Sequence, residues 1–122
     1  MAQKILVAED DRSICELYRH VLEGNGYKFE CAYDGVEALA KAESFKPDLV
    51  IMDVNMPQMN GWQLLSAWKA SPRTAQVPVI MCTDQNSFFE IERALEMGAK
   101  GYITKPILAE RILKKITEVL KV

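Results

Sequence analysis

The sequence lacks the features that would tie it to a membrane or to nucleic acid. None of its apolar runs approaches the roughly 20 residues a spanning helix needs, and no secretory leader is present. Its formal net charge of −2 leaves no basic footprint, which argues against direct nucleic-acid binding. The densest basic group, Arg111, Lys114, Lys115 and Lys121, falls on one helical stretch and reads as a solvated face. Cysteine is scarce: Cys15, Cys31 and Cys82 are an odd number with no C-x-x-C spacing. They read as reduced cytosolic thiols, with Cys82 a small core residue, and the expected location is cytoplasmic. The single histidine, His20, lies among polar neighbours and reads as solvated. There is no internal repeat, linker or low-complexity segment, and nothing resembling an output domain follows the last helix. Residues 1–122 therefore read as one domain with a core of its own.

What the sequence does contain is four short apolar runs, each ending in polar chemistry. Ile5–Ala8 ends in Glu9-Asp10, and Leu49–Met52 ends in Asp53. Val79–Cys82 ends in Thr83, and Tyr102–Thr104 ends in Lys105-Pro106. Continuous apolar runs of this length read as strands covered on both faces, as in a parallel sheet. In open α/β sheets ligands bind at the carboxyl edge. Three carboxylates, a hydroxyl and an ammonium are thus expected in one place.

Helical segments separate these runs. Ser13-x-x-Glu16 offers a capping box, and Ile14, Leu17, Val21 and Leu22 recur at helical spacing before Gly24-Asn25-Gly26. Tyr27–Cys31 alternates apolar and polar, which fits an edge strand. Asp34-Gly35-Val36-Glu37 opens a second helix, with Leu39, Ala42 and Phe45 inward and a close at Lys46-Pro47. Asn60 is the expected N-cap of a third helix carrying Leu64, Leu65 and Trp68, broken at Ser71-Pro72. The fourth strand is expected over Val77–Cys82. A fourth helix is expected from about Ser87 to Met97, with Ile91, Ala94 and Leu95 inward and Gly98 closing it. Gly101–Thr104 is the last strand. Leu108–Leu120 is the last helix, with Leu108, Ile112, Leu113, Ile116 and Leu120 inward. The pattern is α/β: a single doubly wound (βα)5 domain. Right-handed crossovers and an edge-type second strand give a parallel five-stranded sheet of order 2-1-3-4-5.

Glu9, Asp10 and Asp53 at one edge would repel and raise one another's pKa values. A divalent cation resolves this, and Mg²⁺ suits a few carboxylates, several waters and a phosphate oxygen. Asp53 could attack phosphorus in line, with Lys105 and Thr83 serving the phosphoryl oxygens. Each residue also has a plainer reading. Asp11 reads as a helix cap, and Asp10 serves equally as cap or ligand. Thr83 is a β former, and Lys105 before proline suits a surface. Met52, Met56 and Met59 read as packing. Asp53 is harder to dismiss, because an unpaired charge behind four apolar residues is costly.

Taken together, these motifs resemble a response-regulator receiver domain of the two-component family, of the single-domain CheY type on the flavodoxin-like fold. Glu9-Asp10-Asp11, Asp53-Val54-Asn55-Met56-Pro57 with Gly61, Thr83, and Gly101-Tyr102-Ile103-Thr104-Lys105-Pro106 fall in family order. Spacings of 30 from Asp53 to Thr83 and 22 from Thr83 to Lys105 are typical of that family. The resemblance covers essentially the whole chain. It implies that Asp53 accepts phosphate from a partner histidine kinase or phosphotransfer protein. It implies that Asp10, Asp53 and the Asn55 carbonyl bind Mg²⁺ directly, with Glu9 acting mainly through water. Thr83 and Tyr102 would be the switch pair, and Lys105-Pro106 a cis peptide. Such a domain is not an enzyme in the ordinary sense; it promotes only its own phosphorylation and dephosphorylation.

Asp84 departs from the family pattern, in which alanine or glycine follows the switch threonine. Capping the next helix would contribute about 1 kcal/mol. Opposing an incoming phosphate from some 6 Å would cost roughly 1–3 kcal/mol. A pseudo-receiver, a module that binds partners without phosphate, is the alternative that Asp84 raises. A metal-dependent phosphohydrolase would need a second acid where Asn55 stands, and a flavin module would need a Ser/Thr/Gly-rich loop after the first strand. Phe88 and Phe89, about 100° apart on a helix, cannot both turn inward. At least one is expected on the surface, either as a lone exposed phenylalanine at the start of a helix or as a candidate anchor for a downstream protein target or a phosphorylation-linked homodimer.

Overall fold

A computed structural model describes residues 2–84 and 88–121. The order is β1 (Lys4–Ala8), α1 (Arg12–Glu23), β2 (Lys28–Ala32), α2 (Gly35–Phe45), β3 (Leu49–Asp53), α3 (Gly61–Ala70), β4 (Val79–Thr83), α4 (Phe88–Glu96), β5 (Gly101–Thr104) and α5 (Ala109–Leu120). All strand pairs are parallel and the sheet order is β2-β1-β3-β4-β5. No helix among the described residues is long and apolar enough to cross a membrane.

Strand alternation divides the core in two. Leu6, Val50, Met52, Val79 and Met81 face α2, α3 and α4, where Leu64, Leu65, Trp68 and Ala94 are fully buried. Ile5, Val7, Leu49, Ile51, Ile80, Cys82 and Ile103 face the other way, toward Tyr18 and Leu22 of α1 and Ile112 and Ile116 of α5. Parity then places the polar strand ends. Glu9 and Asp53 continue the odd-numbered rows of β1 and β3, toward α1 and α5. Thr83 continues the row of Met81, toward α4, and the partly buried Tyr102 packs in that same layer.

The helix starts follow from their caps. Asp11 accepts from the N–H groups of Ser13 and Ile14, so Asp11, and not the predicted Ser13 box, begins α1. Asp34 caps α2, and Asn60 with Gln63 forms a reciprocal capping box on α3. Each cap contributes about 1 kcal/mol. Lys46 closes α2 in the left-handed region, at φ 52°.

Several expectations are corrected. Leu17 is exposed, because the buried stripe of α1 falls on Cys15, Tyr18 and Leu22. Leu95 and Leu108 are also exposed, since α4 buries only Ala94 fully and Leu108 precedes α5 as its N-cap. β4 begins at Val79 rather than Val77, after Pro78, which has no N–H to donate. The predicted start of α4 at Ser87 and the helix-capping role of Asp84 depend on residues outside those described. The reading of three reduced cysteines is overturned: Cys15 and Cys31 form a disulfide, leaving Cys82 as a buried free thiol. His20 is exposed, as expected.

Candidate functional site at the carboxyl edge of the sheet

Ligand atoms of Glu9, Asp10 and Asp53 lie within 4.8 Å of one another. Glu9 and Asp53 are buried, while Asp10 faces solvent. The Asp11 N–H donates to Glu9 Oε2 at 3.1 Å, which turns this carboxylate back over the end of β1. Asp53 is held by the chain that follows it. The Gly61 N–H donates to the Val54 carbonyl at 2.9 Å, and a Cβ on Gly61 would collide with the Asp53 carbonyl. Glycine is therefore required there for close approach.

Among the described residues, one cation enters this cluster. Lys105 Nζ lies 3.3 Å from Asp53 Oδ2 and 3.6 Å from Glu9 Oε1. The Lys105 N–H donates to the Thr83 carbonyl at 2.7 Å, and the Lys105–Pro106 peptide is cis. Asp53 Oδ1 is buried with no hydrogen-bond partner among the described residues. Two of the three carboxylates thus share one ammonium, and one Asp53 oxygen has no hydrogen-bond partner among the described residues.

The electrostatics follow. Burial, then the Asp53 charge, pushes the Glu9 carboxyl up to about 7, against the Asp11 N–H and Lys105, which pull it down. Burial raises Asp53 too, while Lys105 and the Asn55 N–H favour its ionised form. Burial would lower Lys105, but Asp53 and Glu9 outweigh it and raise the ammonium. A second cation beside these acids would relieve the strain that Lys105 relieves only in part.

Thr83 is buried, and Tyr102 is hydrogen-bonded to it across adjacent strands. Burial raises the Tyr102 phenol, and the charges of Glu90 and Asp84 add to that rise. Asp84 is exposed and acts electrostatically on Tyr102. The structure thus gathers the predicted residues into two groups: the acids with Lys105, and Thr83 with Tyr102 and Asp84.

Three relationships escaped the sequence. Arg93 of α4 stacks on Trp62 of α3, 4.3 Å from the ring centroid. The Tyr18 hydroxyl donates to Cys82 Sγ at 3.6 Å, and burial pushes the Cys82 thiol up to about 11. Cys15 and Cys31 meet beneath Glu9. Only topology could have signalled the last, since α1 and β2 are neighbours in any such βα unit.

These features define a doubly wound α/β domain with an acidic cluster at its carboxyl edge, contacted by Lys105. Comparison with known proteins fixes the family. Residues 5–117 match the Response regulator receiver domain, and the chain belongs to that family. It is 36% identical over 121 residues to the alkaline phosphatase synthesis transcriptional regulatory protein PhoP of Bacillus subtilis, covering 99% of this chain and 50% of that one. It is 35% identical over 121 residues to response regulator MprA of Mycobacterium bovis, covering 99% of this chain and 52% of that one. The chain spans about half the length of the curated relatives it matches. Among solved structures, chemotaxis protein CheY4 of Vibrio cholerae is 35% identical with a TM-score of 0.92, over 98% of this chain and 99% of that one. A CheY-like receiver domain protein of Methanospirillum hungatei is 34% identical with a TM-score of 0.88, over 99% and 95%.

Proposed function

We propose that this two-component receiver domain, spanning residues 1–122, is switched by phosphorylation at Asp53. The observation that carries this reading is the geometry of that carboxylate: Lys105 sits on one oxygen, and the other is buried beside two more acids with no hydrogen-bond partner among the described residues. The donor is a histidine kinase or a phosphotransfer protein. An Asp53 oxygen forms the new P–O bond as the P–N bond to a donor imidazole breaks, and the imidazole takes up a proton. Lys105 holds one phosphoryl oxygen as a point charge, and the Thr83 hydroxyl donates to another.

The residues fit a Mg²⁺ ion. They offer hard carboxylate oxygens with an orphaned Oδ1, in a cluster that one lysine leaves two charges short. Asp10, Asp53 and the Asn55 carbonyl would hold the ion, with Glu9 acting through water. When bound, it neutralises charge as the phosphoryl group arrives.

Release of Tyr102 from Thr83 would then change the face of α4, β5 and α5. Phe88 and Phe89 are 70% and 80% exposed there, with their rings edge-on at 6.1 Å. They are candidate anchors for a downstream protein or a second copy of the chain. The cytoplasmic assignment loses its cysteine argument, since Cys15 and Cys31 pair.

Acetyl phosphate with Mg²⁺, followed by intact-mass spectrometry, tests the reading. Wild type is expected to gain one phosphoryl group and Asp53→Ala none. An equal gain in both would overturn it.

A further inference from the structure

The disulfide partners come from the two elements that flank the acidic end of β1. Cys15 lies in the first turn of α1, where its N–H donates to the carbonyl of the Asp11 cap at 3.0 Å. Cys31 lies on β2, in register with Val7 of β1 and on the side of the sheet that faces α1. Their Cα atoms are 6.3 Å apart, within the span a disulfide bridges. Glu9 sits over this junction. Its N–H donates to the Ala32 carbonyl at 2.9 Å, and Cys15 Sγ lies 3.3 Å from the Glu9 carbonyl oxygen. The backbone that presents Glu9 and Asp10 is therefore seated on the sulfur pair.

We propose that Cys15 and Cys31 are a redox pair whose oxidation by a low-molecular-weight disulfide fixes this strand end and tightens divalent-cation binding at Glu9, Asp10 and Asp53. The proposal rests on the acid-site reading above. In the oxidation, the two thiols lose two protons and two electrons and join through an S–S bond. The oxidant, such as oxidised glutathione, is reduced to two thiols in exchange. Both sulfurs are buried, so exchange requires local opening. β2 permits this as an edge strand, bonded to β1 on one side only. Oxidised, the bridge ties α1 to β2 across the base of the Glu9–Asp11 turn. Reduced, that turn is held by its hydrogen bonds and the Asp11 cap alone. Cys82 sits deeper, in contact with Tyr18, and forms no part of the pair.

The full 122-residue chain is equilibrated at a series of reduced-to-oxidised glutathione ratios, alkylated and weighed. Wild type is expected to pass between three alkylated thiols and one, with the Cys15–Cys31 peptide pair recovered from the oxidised form. Mg²⁺ affinity is then measured by calorimetry on both forms and on Cys31→Ala. Oxidised wild type is expected to bind roughly tenfold more tightly than reduced, the scale on which groups supporting a metal ligand act. Cys31→Ala should match the reduced form at every glutathione ratio. Failure of the disulfide to form at any ratio, or equal Mg²⁺ affinity in both forms, overturns the redox pair while leaving the acid site intact. Absence of Mg²⁺ binding in both forms overturns the acid-site reading and the redox proposal with it.

Discussion

Lys105 Nζ lies 3.3 Å from Asp53 Oδ2, while Oδ1 of the same carboxylate is buried and has no hydrogen-bond partner among the described residues. The lysine also lies 3.6 Å from Glu9 Oε1, so one ammonium is divided between two acids. This division separates the role of the lysine from that of the metal.

Lys105→Ala is expected to leave Mg²⁺ affinity unchanged or improved, because the cation then meets the same carboxylates without a competing charge. Phosphorylation should no longer reach the Thr83–Tyr102 pair. Calorimetric Mg²⁺ titration checks the first point. The second is checked by comparing the Tyr102 amide shift with and without beryllofluoride. A large loss of Mg²⁺ affinity would contradict the assignment of Lys105.

Glu9 gives the pH dependence. Its carboxyl is raised from 4.5 to about 7 in the folded chain, chiefly by burial. Between those values the native state binds more protons than the unfolded state, so stability falls as pH rises through the interval. The contribution is on the order of 2 kcal/mol. Urea unfolding without metal should show this loss between about pH 5 and 7, and Glu9→Gln should reduce it, leaving the part that the raised Asp53 carboxyl contributes. Saturating Mg²⁺ at pH 8 should restore stability to the wild type.

Much of the fold and site is visible in the sequence because both depend on strand parity. The runs at Ile5–Ala8, Leu49–Met52 and Val79–Cys82 are apolar on both faces, and the next residue of each falls at one edge. Helical phase and cross-element contacts are not legible in the same way. Leu17 and Leu95 fit an inward pattern, yet Cys15, Tyr18 and Ala94 take the buried positions. The pairing of Cys15 with Cys31 has no local motif, because a crossover brings them together. Ser13-x-x-Glu16 has the form of a capping box, but Asp11 starts the helix two residues earlier by accepting from the Ser13 and Ile14 N–H groups.

Asp84 is exposed, and its charge acts on Tyr102. Solvent screening therefore limits its opposition to an incoming phosphate. Asp84→Ala is expected to speed phosphorylation from acetyl phosphate by no more than about fivefold. Stopped-flow fluorescence at fixed Mg²⁺ measures this, and a slower variant would contradict it.

Gly61→Ala is expected to destabilise the domain by about 2–4 kcal/mol, since its Cβ would strike the Asp53 carbonyl and the backbone would have to move. It should weaken Mg²⁺ binding at the same time, because that movement displaces Asp53. Denaturant unfolding and calorimetry on one preparation test both, and a stable variant with unchanged affinity would refute the close approach.

The output face is tested by beryllofluoride, which stands in for the phosphoryl group. Amide signals of Phe88–Leu95 and Tyr102 are expected to shift more than those of α1 and α2, because the Thr83–Tyr102 contact lies against α4. Larger shifts over Ile14–Leu22 would place the output elsewhere.

The central claim is metal-dependent acyl phosphate formation at Asp53, and peptide mapping by mass spectrometry measures it most directly. The chain is treated with acetyl phosphate in Mg²⁺ and, separately, in excess chelator. The account predicts one phosphoryl group on the Asp53 peptide in Mg²⁺ and none in chelator, with Asp10→Ala unmodified under both conditions. Full modification in chelator, or modification at another residue, would contradict it.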